Sequence, residues 1–372
     1  MQMKKKILFV AQNFEVGGVQ TALISLLNNL QKNHLAEYDI KLFSFGKGIL
    51  VGQIPDGITK QFGNFFLSLA VTPFGKVLKT KNPVKIIIRL MLMIYVRIAG
   101  AEKFYRNQLK KHIYSEDFDV AISYFNDVPD SYFNRGTELY VKEFVSADKK
   151  IAWIHTDPVK SGFDKEYCKN MYSEFDKIMC VSKAVKESFE KLLPEYLDKT
   201  DVCYNVLNKD KIIKLVKEYI PFEKKGYFNI VTVCRIDDAT KRVNGIVSLC
   251  NRLKSEGITS FKWRIVGDGP DLKKNKKLAR KLGICDVLEF VGEHENPYPY
   301  IYSSDLFALY SAYEGYPMVI EEAKLLRTFV LTVNYAAAEE QITESDGEIA
   351  SSDEGFYDRL KKMIVCNKED EE

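Results

Sequence analysis

Along this chain, short runs that are apolar throughout alternate with longer stretches whose apolar residues return every three or four positions. The first 40 residues set the pattern, with a run "KKKILFVAQ", a glycine-bearing loop "NFEVGG", then "VQTALISLLNNL". In the last of these Val19, Leu23, Leu26, Leu27 and Leu30 fall on one helical face. Further apolar runs follow at "YDIKLFSF", "FDVAISYF", "KIAWIHT" and "FDKIMCVS", with amphipathic stretches such as "AVKESFEKLL" among them. A second series begins at "YFNIVTVCRID" and continues through "FKWRIVGDG", "DVLEFVG", "DLFALYS" and "TFVLTVN". Strands apolar on both faces and separated by helices predict buried parallel sheets in an α/β layer architecture. The polar stretch Asp210 to Phe228, holding Pro221 and Gly226, is the expected seam. It predicts a first domain over 1–210, a second over 211–350, and a final helix over 351–372 that packs back over the seam before an acidic tail.

A length of 372 residues suits two such domains. The seven cysteines are singletons without a C-x-x-C pair, which indicates neither a zinc site nor a disulfide framework and suits a reducing cytosol. "MQMKKKILFVAQNFE" has too short an apolar run for a signal peptide and reads as a first strand. No stretch reaches the roughly 18 uninterrupted apolar residues of a spanning helix. Net charge is only +3, yet residues 1–205 carry 29 Lys/Arg against 23 Asp/Glu and the remainder 25 against 28. This asymmetry points to an anionic partner for the first half. It is concentrated in 60–111, where eleven Lys/Arg accompany one acid, Glu102, around "VKIIIRLMLMIYVRIAGAEKFYRNQLKKH". We read a helix or helix pair lying on an anionic membrane surface, with Lys85, Arg89, Arg97, Lys103 and Arg106 reaching headgroups or an acceptor. The alternative is a buried helix with a basic outer face.

The densest chemistry lies in "SAYEGYPMVIEEA", Ser311 to Ala323. After the strand "LFALYS", Pro317 suits a first helical position, and the amides of Met318, Val319 and Ile320 then point unpaired at whatever lies beyond the strand. Such a helix start suits a phosphate or diphosphate, and Gly315 and Tyr316 lie in the loop that approaches it. Glu314 must then aim past the phosphate at neutral hydroxyls. Glu322, farther along the helix, suits a second hydroxyl pair such as those of a ribose. Hydroxyl, diphosphate, hydroxyl describes a nucleotide sugar. Arg235 and Lys241, after another strand, are suitable clamps for a diphosphate.

Glu314, seven residues, then Glu322 resembles the E-x7-E motif of retaining glycosyltransferases of family 4, the group 1 enzymes. "VGGVQTALISLL", "VCRIDDATKRVNGI", "WRIVGDGPDL" and "LEFVGEHENPYPYIYSSDLFALYSAYEGYPMVIEEA" resemble further family segments in order. The resemblance covers most of the chain and is weak between residues 50 and 115. It implies two Rossmann-like, doubly wound parallel-sheet domains facing a central cleft, the GT-B fold, with donor bound by the second domain and acceptor by the first. It also implies that Arg235 and Lys241 neutralise the departing nucleoside diphosphate without a metal or other cofactor. Gly17 and Gly18 would offer amides to the diphosphate, and His155 would sit near the anomeric centre; a purely structural histidine is the alternative there. The catalytic group is then Glu314, His155, Arg235 and Lys241. The remaining donor contacts are Gly17, Gly18, Gly315, Tyr316, Pro317, Met318, Val319 and Glu322.

Two other motifs fail. "GDGPDL" at Gly267 has Leu272 where a dinucleotide fingerprint needs its third glycine. Asp117-Phe118-Asp119 precedes a strand instead of following one, so its carboxylates face away from the carboxyl-end side. The chain also departs from the family at Leu326-Arg327-Thr328-Phe329 and at "YAAAEEQI", where the family has small turns and a glycine pair. The expected activity is transfer of a hexose, from a UDP-sugar by preference, to a glycan, lipid-linked by preference, in bacterial surface polysaccharide assembly. The protein would work in the cytoplasm at the inner membrane face, without nucleic acid. The rival readings are a nucleotide-sugar epimerase of the same fold and a nucleotide-sugar-binding subunit without turnover.

Overall fold

The computed structural model describes residues 4–34, 37–129, 131–224 and 226–369. The chain divides into two units, Met1–Val206 and Leu207–Glu372, against an expected boundary after residue 210.

In the first unit the apolar runs form seven parallel strands: β1 (Lys5–Ala11), β2 (Tyr38–Ser44), β3 (Thr59–Phe62), β4 (Phe118–Ser123), β5 (Ala147–Ile154), β6 (Lys177–Cys180) and β7 (Thr200–Val202). Their order in the sheet is β3-β2-β1-β4-β5-β6-β7. Leu8 to Ala11 are buried on both faces, as an interior parallel strand requires. Helix Gly18–His34 follows β1 and buries Ala22, Leu23, Ile24 and Leu27.

Between β3 and β4 the basic segment forms four helices, Phe65–Val71, Phe74–Lys79, Pro83–Ala99 and Ala101–Leu109, instead of one or two, and Lys60 lies in β3. Asn64 and Asn82 start two of them by accepting the amides of Leu67 and Lys85 at 3.0 and 3.1 Å. Gly100, at φ +86°, breaks the continuous helical pattern in two. Helix 83–99 packs only a narrow stripe inward, Arg89, Leu92 and Val96. Its opposite face leaves Val84, Ile87, Met91, Ile94 and Ile98 from 56 to 82% exposed.

The second unit has six parallel strands: β8 (Phe228–Val233), β9 (Phe261–Val266), β10 (Leu288–Gly292), β11 (Leu306–Leu309), β12 (Phe329–Val333) and β13 (Gly347–Ala350). The order is β10-β9-β8-β11-β12-β13. Trp263 sits wholly buried in the core and donates its indole N–H to Thr232 Oγ1 at 3.0 Å. The final helix spans Asp353–Glu369. Phe356, Tyr357, Leu360 and Ile364 complete the core of their own unit.

Strand order reverses between β8 and β11, which pair directly although β9 and β10 intervene in sequence. At such a switch point the loops leaving the two carboxyl ends diverge to opposite faces and open a crevice for ligand.

Candidate functional site

The two loops at that switch point carry Arg235 and Lys241 on one side and Glu314 on the other. After β8, Asp237 accepts the amide of Ala239 at 3.1 Å and starts a single helical turn, Asp238–Lys241. Arg242 ends the turn in the left-handed region at φ +47°, and its guanidinium reaches the Tyr310 hydroxyl at 3.1 Å and the Asp353 carboxylate. After β11, the amide of Ala312 donates to the carbonyl of Thr240 at 2.8 Å, tying the loops together through their backbones. Lys241 and Glu314 complete the junction as an ion pair. Burial lowers the Lys241 pKa, but the adjacent Glu314 outweighs it and the net shift is upward, so the ammonium is kept. The Cys234 thiol beside them is pushed up to about 12, chiefly by burial, and stays protonated. Arg235 is exposed, and its guanidinium has no partner among the described residues.

A third loop closes the floor. Asp268 accepts the amide of Ile236 at 2.9 Å. A Cβ on Gly267 would lie 1.9 Å from the Cys234 carbonyl oxygen, and one on Gly269 would lie 2.1 Å from that of Ile236. The glycines of "GDG" thus serve close backbone approach, which explains the motif without a dinucleotide.

Helix Met318–Leu325 begins one residue later than expected, with Pro317 as its N-cap. The Ile320 amide is not free, because it donates to the Pro317 carbonyl at 3.2 Å. Met318 and Val319 therefore supply the amides of this helix start. Glu322 is 5% exposed, and the hydroxyl of Tyr298 reaches its Oε1 at 3.4 Å. Burial pushes its pKa up to about 7, with Tyr298 opposing. Sequence reasoning missed Tyr298, which lies 24 residues upstream and has no motif of its own.

In the first unit, His155 follows β5. Its Nε2 lies 2.8 Å from the carbonyl of Tyr124, which can only accept, so Nε2 carries the proton. Nδ1 is buried without a partner among the described residues, and burial pushes the imidazole pKa down to about 3. The residue is a neutral ring with one unused acceptor. Gly17 and Gly18 lie where β1 gives way to its helix, with Gly18 exposed. Asp119 accepts the Lys6 amide at 2.6 Å at the start of β4, away from the carboxyl ends. Among the described residues no group of three or more His, Cys, Asp or Glu side chains is arranged to hold a metal ion.

Of the basic residues expected on a membrane or acceptor, Lys85, Arg97 and Lys103 are exposed. Arg106 is engaged by Glu102 at 2.7 Å and Glu143 at 2.6 Å. Arg89 contradicts its expected role. It is 5% exposed, and its guanidinium lies 3.7 Å from the centre of the Phe133 ring and 6.0 Å from that of Phe74. The inward stripe of helix 83–99 passes through position 89, so this arginine cannot reach headgroups.

Residues 217–372 match the family model described as glycosyl transferases group 1, which supports a group 1 glycosyltransferase. The chain is 23% identical over 269 residues to an uncharacterized glycosyltransferase of Methanocaldococcus jannaschii, MJ1059, covering 69% of this chain and 62% of that protein. It is also 23% identical over 202 residues to a Campylobacter jejuni N-acetylgalactosamine-N,N'-diacetylbacillosaminyl-diphospho-undecaprenol 4-alpha-N-acetylgalactosaminyltransferase, covering 53% of each. The chain thus spans less than two thirds of the length of these curated relatives. Among solved structures, Anabaena Alr3699/HepE in complex with UDP and glucose superposes with a TM-score of 0.68 at 15% identity, covering 97% of this chain and 90% of that one. With two parallel α/β sheets in sequence, this likeness establishes the fold as GT-B.

Proposed function

We propose that the protein transfers a hexose from a UDP-sugar to a lipid-linked glycan, with retention of configuration, at an anionic membrane surface. The observation that carries this reading is the junction of Lys241, Glu314 and the helix bearing Glu322 at the switch point of the second sheet. A donor diphosphate draws positive charge from Lys241, Arg235 and the amides of Met318 and Val319. The leaving group's charge is met by these groups, so the reading requires no metal. Once Lys241 turns to the diphosphate, Glu314 accepts a sugar hydroxyl, and Glu322 accepts the ribose hydroxyls. Within the first unit, Nδ1 of His155 is an acceptor suited to a hydroxyl, and the loop at Gly17 and Gly18 suits an anion.

The Cys234 thiol is kept protonated, and Glu314 is taken up first by Lys241 and then by a sugar hydroxyl, so neither is poised as a covalent nucleophile. A front-face route fits better. The sugar–phosphate bond breaks, the departing phosphate oxygen takes the acceptor hydroxyl's proton, and the acceptor oxygen bonds the anomeric carbon on the same face. The HepE complex is described with UDP and glucose, and the Campylobacter relative is named for a diphospho-undecaprenol acceptor; these are the donor and acceptor classes we carry over. The exposed apolar stripe of helix 83–99, flanked by exposed Lys81, Lys85, Arg97 and Lys103, supports peripheral membrane contact.

The test is release of UDP from a panel of UDP-sugars with and without an undecaprenyl-diphosphate-linked glycan, in the presence of a chelator. Acceptor-dependent release that disappears in Glu314→Ala supports transfer. Conversion of the sugar without acceptor would indicate an epimerase, and tight UDP binding without turnover a binding subunit.

A further inference from the structure

Helix 318–325 starts without a side-chain cap of its own, because Pro317 stands at the N-cap. A proline there offers neither an amide nor a capping oxygen. The restraint on this turn comes instead from Gln341, in the segment that follows β12. Its side chain is buried at 1% exposure, and every polar atom of its amide is used. The Tyr335 hydroxyl donates to Oε1 at 2.7 Å. Nε2 donates to the Pro317 carbonyl at 3.3 Å and to Glu321 Oε1 at 3.2 Å. A carbonyl oxygen only accepts, so the nitrogen must face Pro317, and the amide's orientation is fixed. Glu321 in turn accepts the Tyr316 hydroxyl at 3.2 Å, and Lys324 reaches back to the Gln341 carbonyl. One buried amide thus holds the N-cap, the first helical turn and, through Glu321, the loop residue before Pro317.

We infer that Gln341, oriented by Tyr335, is a positioning residue for the donor diphosphate: it fixes the start of helix 318–325 so that the amides of Met318 and Val319 meet the phosphate while Glu314 and Glu322 reach its two flanks. The inference rests on the donor-site reading above. Glu322 lies on the body of the helix and keeps its place relative to the ribose when the first turn relaxes. Damage at Gln341 therefore falls on the second phosphate more than on the nucleoside.

The experiment measures UDP and UMP affinities by calorimetry, with melting curves, for wild type, Gln341→Met, Tyr335→Phe and Glu322→Ala. Gln341→Met keeps length and volume but removes both donors. It is expected to weaken UDP about tenfold, the scale of one or two lost hydrogen bonds, while UMP changes less than about twofold. Tyr335→Phe, which removes only the orienting hydroxyl, is expected to show the same selectivity at about threefold and keeps the test open should the first variant fold poorly. Equal weakening of UDP and UMP in step with lost thermal stability would mean a merely structural role and overturns the inference. So does wild-type affinity for both nucleotides. Wild-type UDP binding by Glu322→Ala strikes instead at the donor-site reading, and at this inference with it.

Discussion

Lys241 and Glu314 pair across the carboxyl ends of two neighbouring strands, 73 residues apart in sequence. Glu314's side chain is 10% exposed and that of Lys241 23%, so each is shielded enough for the partner to matter. The pairing with Glu314 raises the Lys241 pKa against the effect of burial, so the ammonium stays charged. On the donor-site reading, a diphosphate competes with Glu314 for the ammonium. Lys241→Ala is expected to weaken UDP by more than about tenfold, and Glu314→Ala to strengthen it about threefold while abolishing sugar transfer. In calorimetry the double variant should not equal the sum of the two, since the partners act as one unit.

Glu322 makes stability fall with rising pH. Burial raises its folded pKa to about 7, above the usual carboxylate value, so the folded chain holds a proton that the unfolded chain has released. The stabilisation from this group is full below about pH 4.5 and disappears as pH rises through 7. Glu322→Gln should therefore flatten the decline and exceed wild type by about 1–3 kcal/mol at pH 8, read from denaturant unfolding at several pH values. On the donor-site reading, UDP binding at pH 6.5 should also release protons, seen as calorimetric heats that depend on buffer, and this release should vanish in the variant.

Arg89 opposes two effects that magnitude can decide between. Its Nε and Nη1 are buried without partners among the described residues, which costs several kcal/mol, whereas stacking on aromatic rings returns about 2. The unpaired charge wins. Arg89→Met is expected to stabilise the first unit by about 1–2 kcal/mol, a rise of roughly 2–6 °C in its melting transition. Arg89→Lys should not, because it keeps the charge and loses the planar stack.

The apolar stripe on helix 83–99 makes a prediction free of folding effects. Ile87, Met91 and Ile94 are 56 to 61% exposed, so Asp at all three should leave the melting curve within about 0.5 kcal/mol per site of wild type. Co-sedimentation with vesicles containing anionic lipid should be lost in that variant and should be weak for wild type on purely zwitterionic vesicles. Equal sedimentation of the two proteins would remove the stripe from the membrane reading.

How much of this was legible before folding depends on the range of each interaction. Strands such as Phe228–Val233 and the E-x7-E segment carry their pattern within a dozen residues, so their place at a strand end and helix start could be read directly. Arg89 shows the limit. The composition of its helix is correct, but which stripe faces inward depends on Phe74 and Phe133, far away in sequence. The same holds for Lys241 with Glu314, Glu322 with Tyr298, and Pro317 with Gln341. Each is a tertiary pairing that periodicity cannot express. The single-residue shift at Pro317 has a local cause, since its ψ of 117° is extended, as an N-cap requires, and not helical.

The loops around the switch point are sewn together by main-chain atoms: Ala312 to Thr240, Ile236 to Asp268, Asp271 to Ile236 and Gly267 to Gly292. Bonds of this kind are indifferent to side-chain identity except where a Cβ will not fit, at Gly267 and Gly269. The frame therefore survives exchange of the side chains it carries, Gly267 and Gly269 excepted, and those side chains can diverge on an unchanged scaffold.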